Sequence, residues 1–347
     1  MKRFRCGCGN EVFFDNTFCE VCNRVLGFDF ETLEIHALQP RWLPVFESMV
    51  NGRNYRLCAN FTEHKVCNWL VAESDWNQFC RGCRLNRTIP DLDNAINLVR
   101  WREIEKAKKR LLYTLYSLNL PVIDRTGNPE QGLLFDFMED NRTDLHHVED
   151  LVTTGHYNGV ITINVLEADP LYREKIRQQM HEPYRTVLGH FRHEIGHYYW
   201  DYLGLDPWMR SRFRKVFGDE QIPYADALDR YYKNSPLTGW QKDYITAYAA
   251  SHPLEDWAET WAHYLHMRDM LETAREWKAL IPPETHDFDT GLQQWIDLTI
   301  VANEFNRSMG LADSYPFVIA ANVRKKLALI NQIVQESSAS EGASAVP

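Results

Sequence analysis

Between Asp91 and about Asn119 apolar residues recur at Leu92, Ile96, Val99, Ile104, Leu111, Leu115 and Leu118, a spacing compatible with a helix. Pro121 ends it, because its ring and missing N–H cannot continue the ladder. Two short segments then read as strands, Leu133–Phe137 and Gly159–Asn164. The second alternates and is rich in β-branched residues. Pro183 suits the start of a long helix ending near Gly204, and a further helix is expected from Ser251, with Pro253 in its first turn, to about Trp277. Upstream of residue 90 the pattern changes. Residues 1–27 and roughly 54–90 read as two short ribbons of hairpins, with Trp42-Leu43-Pro44-Val45-Phe46 as a packed connector between them. Arg87–Asp91 marks the passage to the main domain. The tail from Glu336 has no periodicity and is expected to be disordered. The expected architecture is α+β and mostly helical. A small module covers residues 1–90, a main domain 91–335 and a tail 336–347.

Every cysteine lies in the small module: Cys6, Cys8, Cys19 and Cys22, then Cys58, Cys67, Cys80 and Cys83. Each quartet ends in Cys-x-x-Cys, a knuckle whose two thiolates reach one tetrahedral zinc. The first halves of the quartets depart from two-residue spacing. A disulfide framework is the competing reading, but no apolar leader follows the basic Met1–Cys6 stretch to direct secretion. Two structural zinc ions are therefore expected. A segment this short buries little surface, so the metals would supply much of its stability. Such a ribbon could also dock a protein partner.

At 347 residues, 44% of them hydrophobic, the chain is long enough for a sizeable core. No apolar run reaches the 18 residues of a membrane span, and a cytoplasmic protein is expected. Residues 1–90 hold 11 Lys/Arg against 10 Asp/Glu, so of the overall −10 the remainder carries −11. An acidic body repels phosphate backbones and anionic membranes, which counts against nucleic acid as a partner.

On the helix expected after Pro183 stands His193-Glu194-Ile195-Gly196-His197. Histidines four apart project from one helical face onto one metal, and Glu194 can reach a water bound there as general base. A catalytic zinc needs a third protein ligand. The candidates lie on the later helix, where Glu255 and Glu259 share one face, Asp256 points about 100° away, and His263 and His266 could compete. One carboxylate would bind the metal and the other could orient a ligand histidine. His190, one turn before His193, could support the site or simply pack.

This combination resembles the gluzincin metallopeptidases, in which a glutamate on a second helix completes the site. It resembles more closely a bacterial family of zinc-binding metallopeptidases with an N-terminal zinc ribbon. The resemblance is carried by Cys58-Ala-Asn and Cys67-Asn-Trp, Arg84–Leu92, Gly189–Asp201 and His252–His266. It covers nearly the whole chain except the tail. It implies a zincin-like domain with one catalytic zinc besides the two structural ones, Glu255 as third ligand and Glu259 as its supporting residue. It also implies an oxyanion-stabilising role for Tyr248, seven residues before the ligand glutamate, although Tyr244 lies nearby. The expected activity is zinc-dependent hydrolysis of a peptide or protein. The strand at Val160–Asn164 would be either an edge on which an extended substrate pairs or an ordinary internal strand. A catalytically silent protein that docks partners through its ribbon is the alternative.

Overall fold

A computed structural model describes residues 1–139, 154–180, 182–203, 207–234, 237–279 and 287–344. The chain divides into two compact units. The first comprises Met1–Ser117, Val122–Gly155 and Thr162–Arg173, and the second Leu118–Pro121, His156–Ile161 and Glu174–Pro347. Among the described residues no helix is long and apolar enough to cross a membrane.

The first unit opens with the two-residue strands β1 (Phe4–Arg5) and β2 (Glu11–Val12). An antiparallel meander follows: β3 (Leu26–Asp29), β4 (Glu34–Trp42), β5 (Val45–Ser48), β6 (Asn54–Leu57) and β7 (Leu70–Ala72). The two ribbons expected from the sequence are thus joined by a continuous sheet. The presumed connector Trp42–Phe46 is the β4–β5 turn, with a cis Leu43–Pro44 bond. Of that segment Val45 is buried, while Trp42 and Leu43 face outward. Phe28 N donates to Asn68 O, bringing the ends of the meander together.

The single-turn α1 (Ala59–Thr62) precedes β7, and the long α2 (Ala95–Ser117) lies across the module. Its buried face runs through Trp101, Ile104, Leu111, Leu112 and Leu115, whereas Ile96 and Val99 are exposed. Phe4, Phe14, Phe28, Trp69 and Tyr113 form one aromatic cluster, with ring centroids from 4.9 to 6.5 Å apart, that fastens the meander to α2. Tyr113 of α2, which lies beyond the expected boundary at residue 90, packs into that cluster.

A second sheet has the order β10 (Gly155–Tyr157), β11 (Val160–Asn164), β9 (Leu134–Met138), β8 (Asn86–Thr88), with β8 parallel to β9. The strand Val160–Asn164 therefore has a neighbour on each side and is internal. Its apolar residues are buried on both faces, which excludes the edge role.

After α3 (Pro170–Gln179), the second unit is helical: α4 (Val187–Tyr202), α5 (Pro207–Phe217), α6 (Tyr224–Asn234), α7 (Pro253–Glu276), α8 (Phe288–Ser308) and α9 (Ala321–Ser344). Helix α4 begins later than Pro183 suggests. Thr186 caps it by accepting from Gly189 N at 3.0 Å. His252 caps α7, and Pro253 takes the first position, where no N–H is needed. The stretch from residue 336, expected to be disordered, continues α9 as far as Ser344. The helix is already anchored by buried Val323, Leu327, Ile330, Ile333 and Val334, and extending it costs far less than starting one.

Helix α7 shows little amphipathic contrast because it is buried on nearly all sides, with Trp257, Trp261, Tyr264 and Leu265 all inaccessible. Its closest neighbour is α4. A side chain on Gly196 would lie 2.9 Å from Ala258 Cα and 3.0 Å from Trp261 Cβ, so only glycine allows the two backbones this near. Trp257 Nε1 donates to Gly196 O at 2.9 Å and seals the crossing. Gly196→Ala is expected to lower stability by about 1–3 kcal/mol through overpacking, read as a lower urea midpoint at unchanged slope.

Candidate metal centre

Three sets of donor atoms converge, each set lying within 4.8 Å: Cys6, Cys8, Cys19, Cys22; Cys58, Cys67, Cys80, Cys83; and His193, His197, Glu255. The first thiols come from the β1–β2 loop and the knuckle after β2. The second come from the start of α1, the loop before β7 and the short turn before β8. Neighbouring sulfurs are 3.5 Å (Cys6, Cys22), 3.7 Å (Cys8, Cys19), and 3.6 Å (Cys67 to both Cys80 and Cys83) apart. Zinc–sulfur bonds of about 2.3 Å make a tetrahedron with edges of about 3.8 Å, close to these values and far above the length of a disulfide. Burial pushes the Cys6 thiol up to about 12, while the Cys22 backbone N–H draws Cys19 down to about 6. Thiols so close cannot all ionise without a cation among them. In the second cluster, Cys67 Sγ accepts from Trp69 N at 3.4 Å and Cys58 Sγ from Cys80 N at 3.3 Å.

Beside the second cluster lies a buried group of Glu105, Lys108 and Lys109 on α2. Lys108 Nζ is 2.8 Å and Lys109 Nζ 3.7 Å from the carboxylate, and Lys109 donates to Val66 O at 2.6 Å. Two ammonium ions against one carboxylate leave a surplus positive charge in the core. Burial alone would lower Lys109, but the thiolate of Cys67 and Glu105 hold it well above the usual lysine range. A four-thiolate zinc site, with net charge about −2, fits this surplus.

The third set is built by the α4–α7 crossing. His193 Nε2 and His197 Nε2 are 3.2 Å apart. Glu255 Oε2 lies 3.1 Å from His193 Nε2, and Oε1 lies 3.3 Å from His197 Nε2. Zinc–nitrogen bonds of about 2.05 Å imply tetrahedral edges of about 3.3 Å, close to the spacing of the two Nε2 atoms and to the distance from His193 Nε2 to Glu255 Oε2. Glu255 is buried, and its Oε2 makes no hydrogen bond. Burial would push its pKa up, but His197 and His193 hold it well below the usual carboxylate range. The other nitrogen of His193, Nδ1, meets Glu259 Oε1 at 2.7 Å. Glu259 Oε2 in turn accepts from Thr246 Oγ1 at 2.7 Å. Glu259 thus fixes the tautomer that turns Nε2 inward.

Glu194 is buried beside His193, and burial raises its pKa despite the two histidines. The Tyr248 ring lies 6.1 Å from that of His193, and burial followed by Glu255 raises its phenol. Sequence reasoning missed Tyr224. Its hydroxyl donates to Glu255 Oε1 at 2.7 Å, and desolvation followed by Glu255 raises its phenol, although the residue as a whole is exposed. It opens a mostly exposed helix and belongs to no motif, so no local pattern marks it.

The remaining candidates are occupied elsewhere. Asp256 pairs with Lys326 Nζ at 2.6 Å on the far side of α7. His263 bonds Tyr315 and His266 bonds Arg192, so neither competes for the site. His190 stands outside the converging set.

Residues 97–333 match the family described as "Putative zinc-binding metallo-peptidase", and residues 3–94 match a zinc-ribbon domain, so the chain belongs to that metallopeptidase family. Uncharacterized proteins of Mycobacterium bovis and of two Mycobacterium tuberculosis strains are 39% identical over 97% of this chain and 96% of their own length. No solved structure matches. Removing the carboxylate that holds His193, in Glu259→Ala, is expected to weaken zinc at the histidine site about 10- to 100-fold, measured by competition with a chromophoric chelator.

Proposed function

We propose that the chain is a zinc-dependent peptidase of gluzincin type, with His193, His197 and Glu255 as ligands of one catalytic zinc and the two cysteine quartets holding structural zinc. The observation that carries this reading is the convergence of the two Nε2 atoms and the Glu255 carboxylate at tetrahedral spacing. A metal bound there acts as a Lewis acid on the scissile carbonyl and acidifies water. Glu194, on the same helix and in a dry setting that favours its accepting a proton, takes the proton of the attacking water and returns it to the leaving amine. Tyr248, kept as a phenol, donates to the oxyanion that develops on the carbonyl oxygen. Glu259 keeps His193 aimed inward throughout.

Docking of a protein partner through the ribbon is a second, compatible reading. Trp76, in the loop between Cys67 and Cys80, is fully exposed, and Phe18 and Val21 stand out beside Cys19.

About three zinc ions per chain are expected by elemental analysis, falling to about two in His193→Ala. A count that does not change between the two proteins sinks the histidine site. Glu194→Gln should keep its zinc and lose about 10²- to 10⁴-fold in kcat on peptide substrates. Wild-type turnover by that variant would remove Glu194 from the mechanism.

A further inference from the structure

Glu255 offers two oxygens, and their surroundings differ. Oε1 faces His197 Nε2 at 3.3 Å and also accepts the Tyr224 hydroxyl at 2.7 Å, whereas Oε2 faces His193 Nε2 at 3.1 Å and makes no hydrogen bond. A carboxylate can hold zinc through one oxygen or through both. A strong donor on one oxygen withdraws its charge and fixes the carboxylate plane, leaving the other oxygen as the better ligand. The difference has a chemical consequence, because a catalytic zinc must keep one position open for water. A second oxygen from Glu255 would fill it.

Tyr224 is itself held in place from the helix that carries Glu255. His252, the cap of α7, donates through Nε2 to Ile222 O at 2.9 Å, two residues before Tyr224, and its ring packs edge-on against the Tyr224 ring at 5.1 Å. The same histidine accepts Leu254 N at 3.1 Å. One residue thus fixes both the start of α7 and the phenol that reaches Glu255. Such bracing is more than a loosely placed surface tyrosine needs. Elsewhere α6 buries only Ala227.

We propose that Tyr224 is a positioning residue that limits Glu255 to single-oxygen ligation through Oε2 and so reserves the open position of the metal. This rests on the ligand assignment proposed above. Tyr224 also differs in role from Tyr248, which is assigned to the substrate oxyanion.

The test compares full-length, zinc-loaded wild type, Tyr224→Phe and Tyr248→Phe by zinc X-ray absorption. The His193→Ala spectrum is subtracted to remove the two cysteine sites. Tyr224→Phe is expected to retain about three zinc ions but to gain one nitrogen or oxygen neighbour at the histidine site. It should also lose about 10- to 100-fold in kcat. Tyr248→Phe should keep the wild-type ligand number. An unchanged ligand number in Tyr224→Phe, or two-oxygen ligation already in the wild type, overturns the role of Tyr224 alone. Equal zinc in wild type and His193→Ala overturns the ligand assignment, and this inference with it.

Discussion

The close approach of α4 and α7 at Gly196 is the contact on which the candidate centre depends. Two histidines four residues apart supply only half of a tetrahedron, and the third donor must come from a different part of the chain. With a methyl group at position 196 Ala258 and Trp261 would have to retreat, and Glu255, one turn from Ala258, would retreat with them. Tight packing here is therefore geometric control of the donor set, since protein interiors transmit displacements of a few tenths of an ångström instead of absorbing them. The wall of Trp257, Trp261 and Tyr199 that surrounds the crossing makes the position stiff. Tyr199 and Trp261 stack at 5.0 Å.

Around that crossing each polar group is placed by another. Thr246 holds Glu259, Glu259 holds His193, and His252 holds the segment that delivers Tyr224. Buried carboxylates on an aromatic helix would be costly if left alone. Here Glu255 faces two imidazoles, Glu259 a third nitrogen, and Asp256 an ammonium on α9. Three acidic residues within five positions of one helix are thus each paired, Glu255 and Glu259 on the two nitrogens of His193 and Asp256 on Lys326, which explains how so charged a segment can run through the core.

Much of the donor chemistry was legible in the sequence because it is local. The spacing of His193 and His197 and the pairing of cysteines in knuckles are properties of short segments. The later helix was legible too, with Glu255 and Glu259 on one face. What escaped depends on distant strand pairing or on partners brought together by folding. The meander linking the two cysteine quartets arises from short strands with weak alternation, and its turn at Leu43–Pro44 looked like a linker. The internal place of Val160–Asn164 is set by its neighbours β9 and β10, which periodicity cannot reveal. Tyr224 is 31 residues from the carboxylate it touches. The tail from Glu336 lacks an apolar stripe, yet it follows a helix already nucleated by packing.

The two cysteine clusters are alike in ligand count but unlike in electrical setting. The first includes an exposed thiol, Cys8, whereas all four thiols of the second are buried beside the ammonium of Lys109. Emptying the first would leave sulfur in contact with water, where protons can take the place of the ion. Emptying the second would leave the surplus ammonium charge of Lys108 and Lys109 over Glu105 without the site's charge of about −2. A metal held by the second cluster would be shut off from water, while one held by the first would meet it at Cys8.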